Sequence, residues 1–105
     1  MRVELSSVGN PNLGQNPYKS KWGAEMDRIV EVSTFEEASF ECMKFIHENY
    51  LSSSNWSGGD ILNEDGLKIA YVSYNGKVWE ESESRTEIQI NREVVINMVV
   101  ELNKK

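Results

Sequence analysis

Hydrophobic and charged residues alternate along Met1-Arg2-Val3-Glu4-Leu5, the period of a strand with one buried face, and predict a first β-strand ending near Ser7. Residues 26–32, MDRIVEV, predict a second strand with Val30 and Val32 on one face. Between them, residues 9–23 hold three glycines, three asparagines and both prolines of the chain, each proline preceded by an asparagine. That composition favours turns. It predicts a long loop, and loops beyond about 12–15 residues are commonly functional.

After Val32 the period lengthens. Ser33 and Thr34 offer two registers of a capping box, Ser33 with Glu36 or Thr34 with Glu37, and predict a helix over 34–50. At about 100° per residue, Phe35, Ala38, Cys42, Phe45 and Ile46 share one arc, the expected core face. Cys42 then reads as a small buried hydrophobe. Phe40, Met43, His47 and Tyr50 fill an adjoining arc, and Glu37, Glu41, Lys44 and Glu48 form the polar back. So wide an apolar surface needs two partners. The second arc is expected under the 9–23 loop or the C-terminal segment, with an exposed interaction patch as the other outcome.

Residues 60–81 return to strand periodicity around Asp65-Gly66 and Asn75-Gly76, dipeptides that suit two-residue type I′ hairpins. The expected element is a three-stranded antiparallel meander. With Asn75-Gly76 as the turn, Val72 opposes Trp79, so Ala70, Val72, Tyr74 and Trp79 share one face and Ile69, Tyr71 and Val78 the other. EIQI, residues 87–90, extends the sheet. Residues 91–103 carry conflicting signals. Asn91 is a good N-cap and Glu93, Asn97 and Glu101 recur every fourth residue, whereas Val94, Ile96, Met98, Val100 and Leu102 alternate as a strand would. We read a C-terminal helix. The expected fold is α+β, an antiparallel sheet with its meander packed on one central helix, in a single domain over 1–105.

Composition narrows the function. Seventeen acidic against eleven basic residues give a formal charge of −6, which repels nucleic-acid phosphates, so direct nucleic-acid binding is not expected. One cysteine and one histidine make neither an internal disulfide nor a closed zinc site. No secretory pattern and no membrane-length apolar run occurs, which predicts a cytoplasmic chain with no membrane association. No cofactor or metal is implied.

The stretch SSSNWSGGD, residues 52–60, invites three chemical readings and supports none of them. Its glycine pair lacks the Lys-Ser/Thr or helix N-terminus of a phosphate loop, and Asp60 puts negative charge where phosphate would sit. Asn55-Trp56-Ser57 fits the glycosylation pattern by chance. Carboxylates are abundant, but Asp60, Glu64 and Asp65 are accounted for as strand-entry and turn residues. A Cys42–His47 pair is unsuitable because five positions turn the side chains about 140° apart on a helix. The stretch is best read as the hinge from helix to meander, with Trp56 as its plug.

Residues 30–80, through Ser33-Thr34-Phe35-Glu36-Glu37-Ala38, Ser57-Gly58-Gly59 and Tyr74-Asn75-Gly76-Lys77-Val78-Trp79, resemble small uncharacterised proteins of phages and integrated mobile elements. The resemblance implies an accessory protein and transfers no catalytic residue. The expected function is a non-enzymatic protein-interaction module acting on a host protein, perceived through Tyr18, Lys19, Lys21, Trp22, Phe40, Met43 and Trp56. In a narrower version the acidic surface mimics nucleic acid. The alternatives are a small-molecule binder or carboxylate-dependent hydrolase, and a homodimer formed by sheet edges or the second helix arc.

Overall fold

The structure, a computed structural model, describes residues 1–8 and 27–104. The α+β class expected from the sequence is observed. Strands β1 (Arg2–Leu5) and β2 (Arg28–Glu31) precede helix α1 (Phe35–Glu48). Strands β3 (Asp60–Leu62), β4 (Lys68–Val72), β5 (Val78–Glu80) and β6 (Glu87–Ile88) lead to helix α2 (Arg92–Asn103). The six strands form one antiparallel sheet in the order β2-β1-β3-β4-β5-β6.

Alternation sets the inner face. Val3 opposes Ile61 and Ile61 opposes Ala70, a buried row crossing three strands, while Val72 opposes Val78 in a second row. Helix α1 packs on β1 and β4 and brings Ala38, Cys42, Phe45 and Ile46 into that core. Four of the five residues expected on its core face are fully buried, and Phe35 is partly so. Ser39 is the fifth buried position of the helix. Its hydroxyl donates to the Gly76 carbonyl at 2.7 Å, so a polar side chain ties the helix to a hairpin without an unmet hydrogen bond.

The structure selects one capping register. Thr34 Oγ1 accepts from the Glu37 amide at 3.1 Å, and Glu37 Oε2 accepts from the Ser33 amide at 3.3 Å. Glu36 is thereby released and accepts from the Asn91 amide at 2.9 Å, joining the two helix starts. At its other end α1 stops two residues before the expected Tyr50. Tyr50 adopts φ 53°, and the Leu51 amide donates back to the Ile46 carbonyl at 3.0 Å. A left-handed residue followed by this six-residue closure ends a helix, and buried Leu51 and Ile46 supply the accompanying apolar pair.

The hairpin register corrects the expectation from sequence. Both turns hold three residues rather than two. The Gly66 amide donates to the Asn63 carbonyl and the Gly76 amide to the Ser73 carbonyl, with φ of +79° and +84° at the glycines. This is a type I turn closed by a left-handed glycine, not a type I′ turn. The extra residue shifts the pairing so that Val72 opposes Val78 and Tyr71 opposes Trp79. Val78 therefore lies in the core, while Trp79 joins Tyr71 on the outer face. A bulge at Ile69, where Ile61 pairs with Ala70 but Leu62 with Lys68, also brings Lys68 to the outer face.

Residues 52–60 form the expected junction between α1 and β3. Asn55 accepts from the Ser52 amide and hydroxyl and donates from Nδ2 to the Val8 carbonyl at 2.8 Å. The Trp56 indole packs 6.1 Å from the Phe45 ring, and its Nε1 donates to the Val72 carbonyl at 3.2 Å. A Cβ at Gly58 would lie 2.7 Å from the Glu4 carbonyl oxygen, and one at Gly59, where φ is +100°, would strike the Val72 oxygen. Both glycines let backbones approach where no side chain fits.

Candidate interaction surface

Helix α2 resolves the conflicting C-terminal pattern. Asn91 Oδ1 accepts from the Glu93 and Val94 amides at 3.1 and 3.4 Å, so the cap prevails over the alternation of β-branched residues. The helix lies on α1, as expected for a segment covering the second arc. Val95, Met98 and Leu102 are its half-buried positions, yet it buries no residue fully. Ile96, Val99 and Val100 are exposed, Ile96 at 58%.

Two grooves flank the contact between the helices. One, of about 540 Å³, is lined by Phe40, Glu41, Lys44, Val94, Met98 and Leu102. The other, of about 340 Å³, is lined by Phe40, Met43, Lys44, His47, Val99 and Leu102. Phe40 borders both. The arrangement can accept an apolar side chain or a helix edge, since Phe40, Met43, Val94, Met98, Val99 and Leu102 offer apolar surface, with Glu41, Lys44, His47, Asn97, Glu101 and Asn103 as the polar part of the lining. Among the described residues no group of three or more His, Cys, Asp or Glu side chains could hold a metal ion.

Of the candidate residues, Phe40 and Met43 are brought together at this surface. Trp56 is not with them; its ring and its indole N–H serve the α1–β3 junction. Tyr18, Lys19, Lys21 and Trp22, with the whole expected loop at 9–23, lie outside the described residues. His47 is exposed on the groove wall, whereas Cys42 is buried in the core. Burial, with a smaller contribution from Glu41, pushes the Cys42 thiol far above its usual range. A thiol so held is a poor nucleophile. Asn55 is 1% exposed with its amide nitrogen engaged, which removes it as a glycan acceptor.

The residues missed at the sequence level are Ile96, Val99 and Val100. Their signal was present in the β-branched run of 94–100, which served only to weigh helix against strand. A second group, which no local sequence pattern marks, lies on the outer face. Lys68 Nζ lies 3.2 Å from Asp60 and 3.1 Å from Glu81, and 5.3 Å from the centroid of the Tyr71 ring. These residues line an open polar cleft of about 670 Å³ with Ser82, Glu83 and Arg85. Burial acts to lower the Lys68 pKa, but hydrogen bonds to Glu81 and Asp60 outweigh it and hold the ammonium above its ordinary value. The two carboxylates are thus engaged by one cation.

No protein-family model, curated protein or solved structure matches the chain. No helix among the described residues is long and apolar enough to cross a membrane.

Proposed function

We propose that this chain is a non-enzymatic protein-interaction module whose binding surface is the α1–α2 side. The observation that carries this is α2 itself. A helix apolar around most of its circumference is ordinarily buried, yet this one leaves Ile96, Val99 and Val100 exposed beside grooves bordered by Phe40 and Met43. Exposed contiguous apolar surface of this kind marks sites of association. The net charge of −6 opposes direct contact with nucleic acid. The setting proposed is cytoplasmic, in an accessory role of the phage or mobile-element type that the resemblance over 30–80 implies.

Capture of partners by the parent chain and by Ile96→Asp and Phe40→Ala variants tests the function. A specific partner bound by the parent should be lost with both, while Tyr18→Ala and Trp22→Ala report whether the 9–23 segment contributes. A partner retained at full strength by Ile96→Asp and Phe40→Ala would exclude the α1–α2 side.

The outer-face cleft favours a second function, the binding of a small polar molecule by Lys68, Tyr71 and Arg85. Thermal shift against metabolites separates the two: a ligand-specific rise in melting temperature that disappears in Lys68→Met would favour the cleft.

A further inference from the structure

We infer that the partner best fitted to the exposed face of α2 is a second copy of this chain, the two α2 helices packing antiparallel about a two-fold axis. This rests on the interaction function proposed above and names its partner. Taking half-buried Val95, Met98 and Leu102 as the side toward α1, a rotation of about 100° per residue places Ile96, Val99, Val100 and Asn103 together on an outward stripe. A two-fold interface requires a patch complementary to itself. Ile96 and Val100 lie equally far on either side of position 98, close to the middle of a helix spanning Arg92–Asn103. An axis through that middle sets Ile96 of each copy against Val100 of the other.

Charge supplies the register. Glu93 and Lys104 project about 20° apart on the same flank of this stripe, one in the first turn and the other just past the last. In antiparallel helix pairs a flank meets the same flank of its partner, running in the opposite sense. Glu93 therefore meets Lys104 of the second copy, and Lys104 meets its Glu93, at both ends of the contact. A parallel arrangement would instead set this flank against the opposite one and leave both pairs unmade. In the single chain Lys104 makes an exposed pair with Glu101 at 3.4 Å, which is readily exchanged. Opposed helix dipoles favour the same orientation.

The five β-branched residues Val94, Val95, Ile96, Val99 and Val100 give α2 modest intrinsic helix drive, and isolated helices of about 12 residues are marginal in water. Pairing would add the packing that α1 alone does not supply. The stripe from Ile96 to Asn103 is about 11 Å long at 1.5 Å per residue, so the contact belongs to the small, weak class of interfaces.

Sedimentation equilibrium from about 1 μM to 1 mM tests this, since weak interfaces dissociate within that range. The expected weight-average mass rises from 12.0 kDa toward twice that value. Ile96→Glu should keep the chain monomeric throughout while its far-UV circular dichroism stays that of the parent. Glu93→Lys alone and Lys104→Glu alone should each weaken association about three- to tenfold, and the double exchange should restore it. A mass fixed at 12.0 kDa up to the highest concentration would overturn the inference, as would a dimer indifferent to Ile96→Glu or an exchange without rescue. A monomer that still captures a different protein through Ile96 would refute self-pairing and leave the interaction function standing. A dimer that captures nothing else would identify the second copy as the partner.

Discussion

Helices α1 and α2 are of similar length and both carry many apolar residues, yet one buries five side chains and the other none. The difference lies in where the apolar residues stand and in what faces them. On α1, small and aromatic residues fall on one arc, with Ala38 and Cys42 allowing close approach to the sheet and Phe45 filling the space beneath Trp56. On α2, β-branched residues are spread around the circumference, and only the side toward α1 finds a neighbour within the described residues. Hydrophobicity describes what a helix can bury. Position relative to the sheet determines what it does bury.

The sharpest way to break this comparison is truncation of one inward-facing residue on each helix. Phe45→Ala should cost about 3–5 kcal/mol through lost contacts and a residual cavity. Val95→Ala, on the α1-facing side of α2, should cost less than about 1.5 kcal/mol. Denaturant unfolding of both variants measures the gap, and equal costs would show that α2 is as much a part of the core as α1. Next in size is the junction that returns the chain from α1 to the sheet. Gly59→Val should lose about 3 kcal/mol or more, because it combines a left-handed backbone with a collision against the Val72 carbonyl. A variant melting like the parent would show that this backbone contact is dispensable.

A smaller effect comes from Cys42, for which α2 has no counterpart. Its folded pKa lies above the unfolded value near 9.0, so its contribution is complete below that pH and is lost as pH rises, when the unfolded thiolate is favoured. By pH 10 this amounts to about 1.4 kcal/mol. Comparing unfolding at pH 7 and pH 10 for the parent and Cys42→Ala isolates it, since the variant should lack this part of the alkaline decline. Smallest, and of the opposite sign, is Ile96→Ala. At concentrations low enough to keep the chain monomeric, replacing an exposed β-branched residue should leave stability unchanged or raise it by up to about 0.5 kcal/mol. A loss above 1.5 kcal/mol at those concentrations would mean that Ile96 is packed within the single chain.

Much of the fold was legible before the structure. The Thr34–Glu37 cap, the core arc of α1 and the strand alternation are local patterns, in which period alone tells a buried position from a solvent-facing one. The hairpins were legible as turns but not as registers. Asn75-Gly76 is compatible with a two-residue and a three-residue loop, and the choice between them moves Trp79 from one face of the sheet to the other. Of the candidate surface, Phe40 and Met43 followed from the wheel. The partnership of Trp56 with Phe45 and the outer-face grouping of Lys68, Asp60 and Glu81 required strands distant in sequence to become neighbours.

The hydrophobic periods and caps by themselves determined the sequence of elements, the class of the fold and the inward face of α1, because these depend on residues within one or two turns of each other. Tertiary structure alone decided that β1 lies between β2 and β3, that a bulge at Ile69 brings Lys68 to the outer face, and that α2 rests on α1 with its β-branched side uncovered. Each of these depends on pairing and packing across the chain. Burial is a relation between surfaces, and a sequence specifies only one side of it at a time.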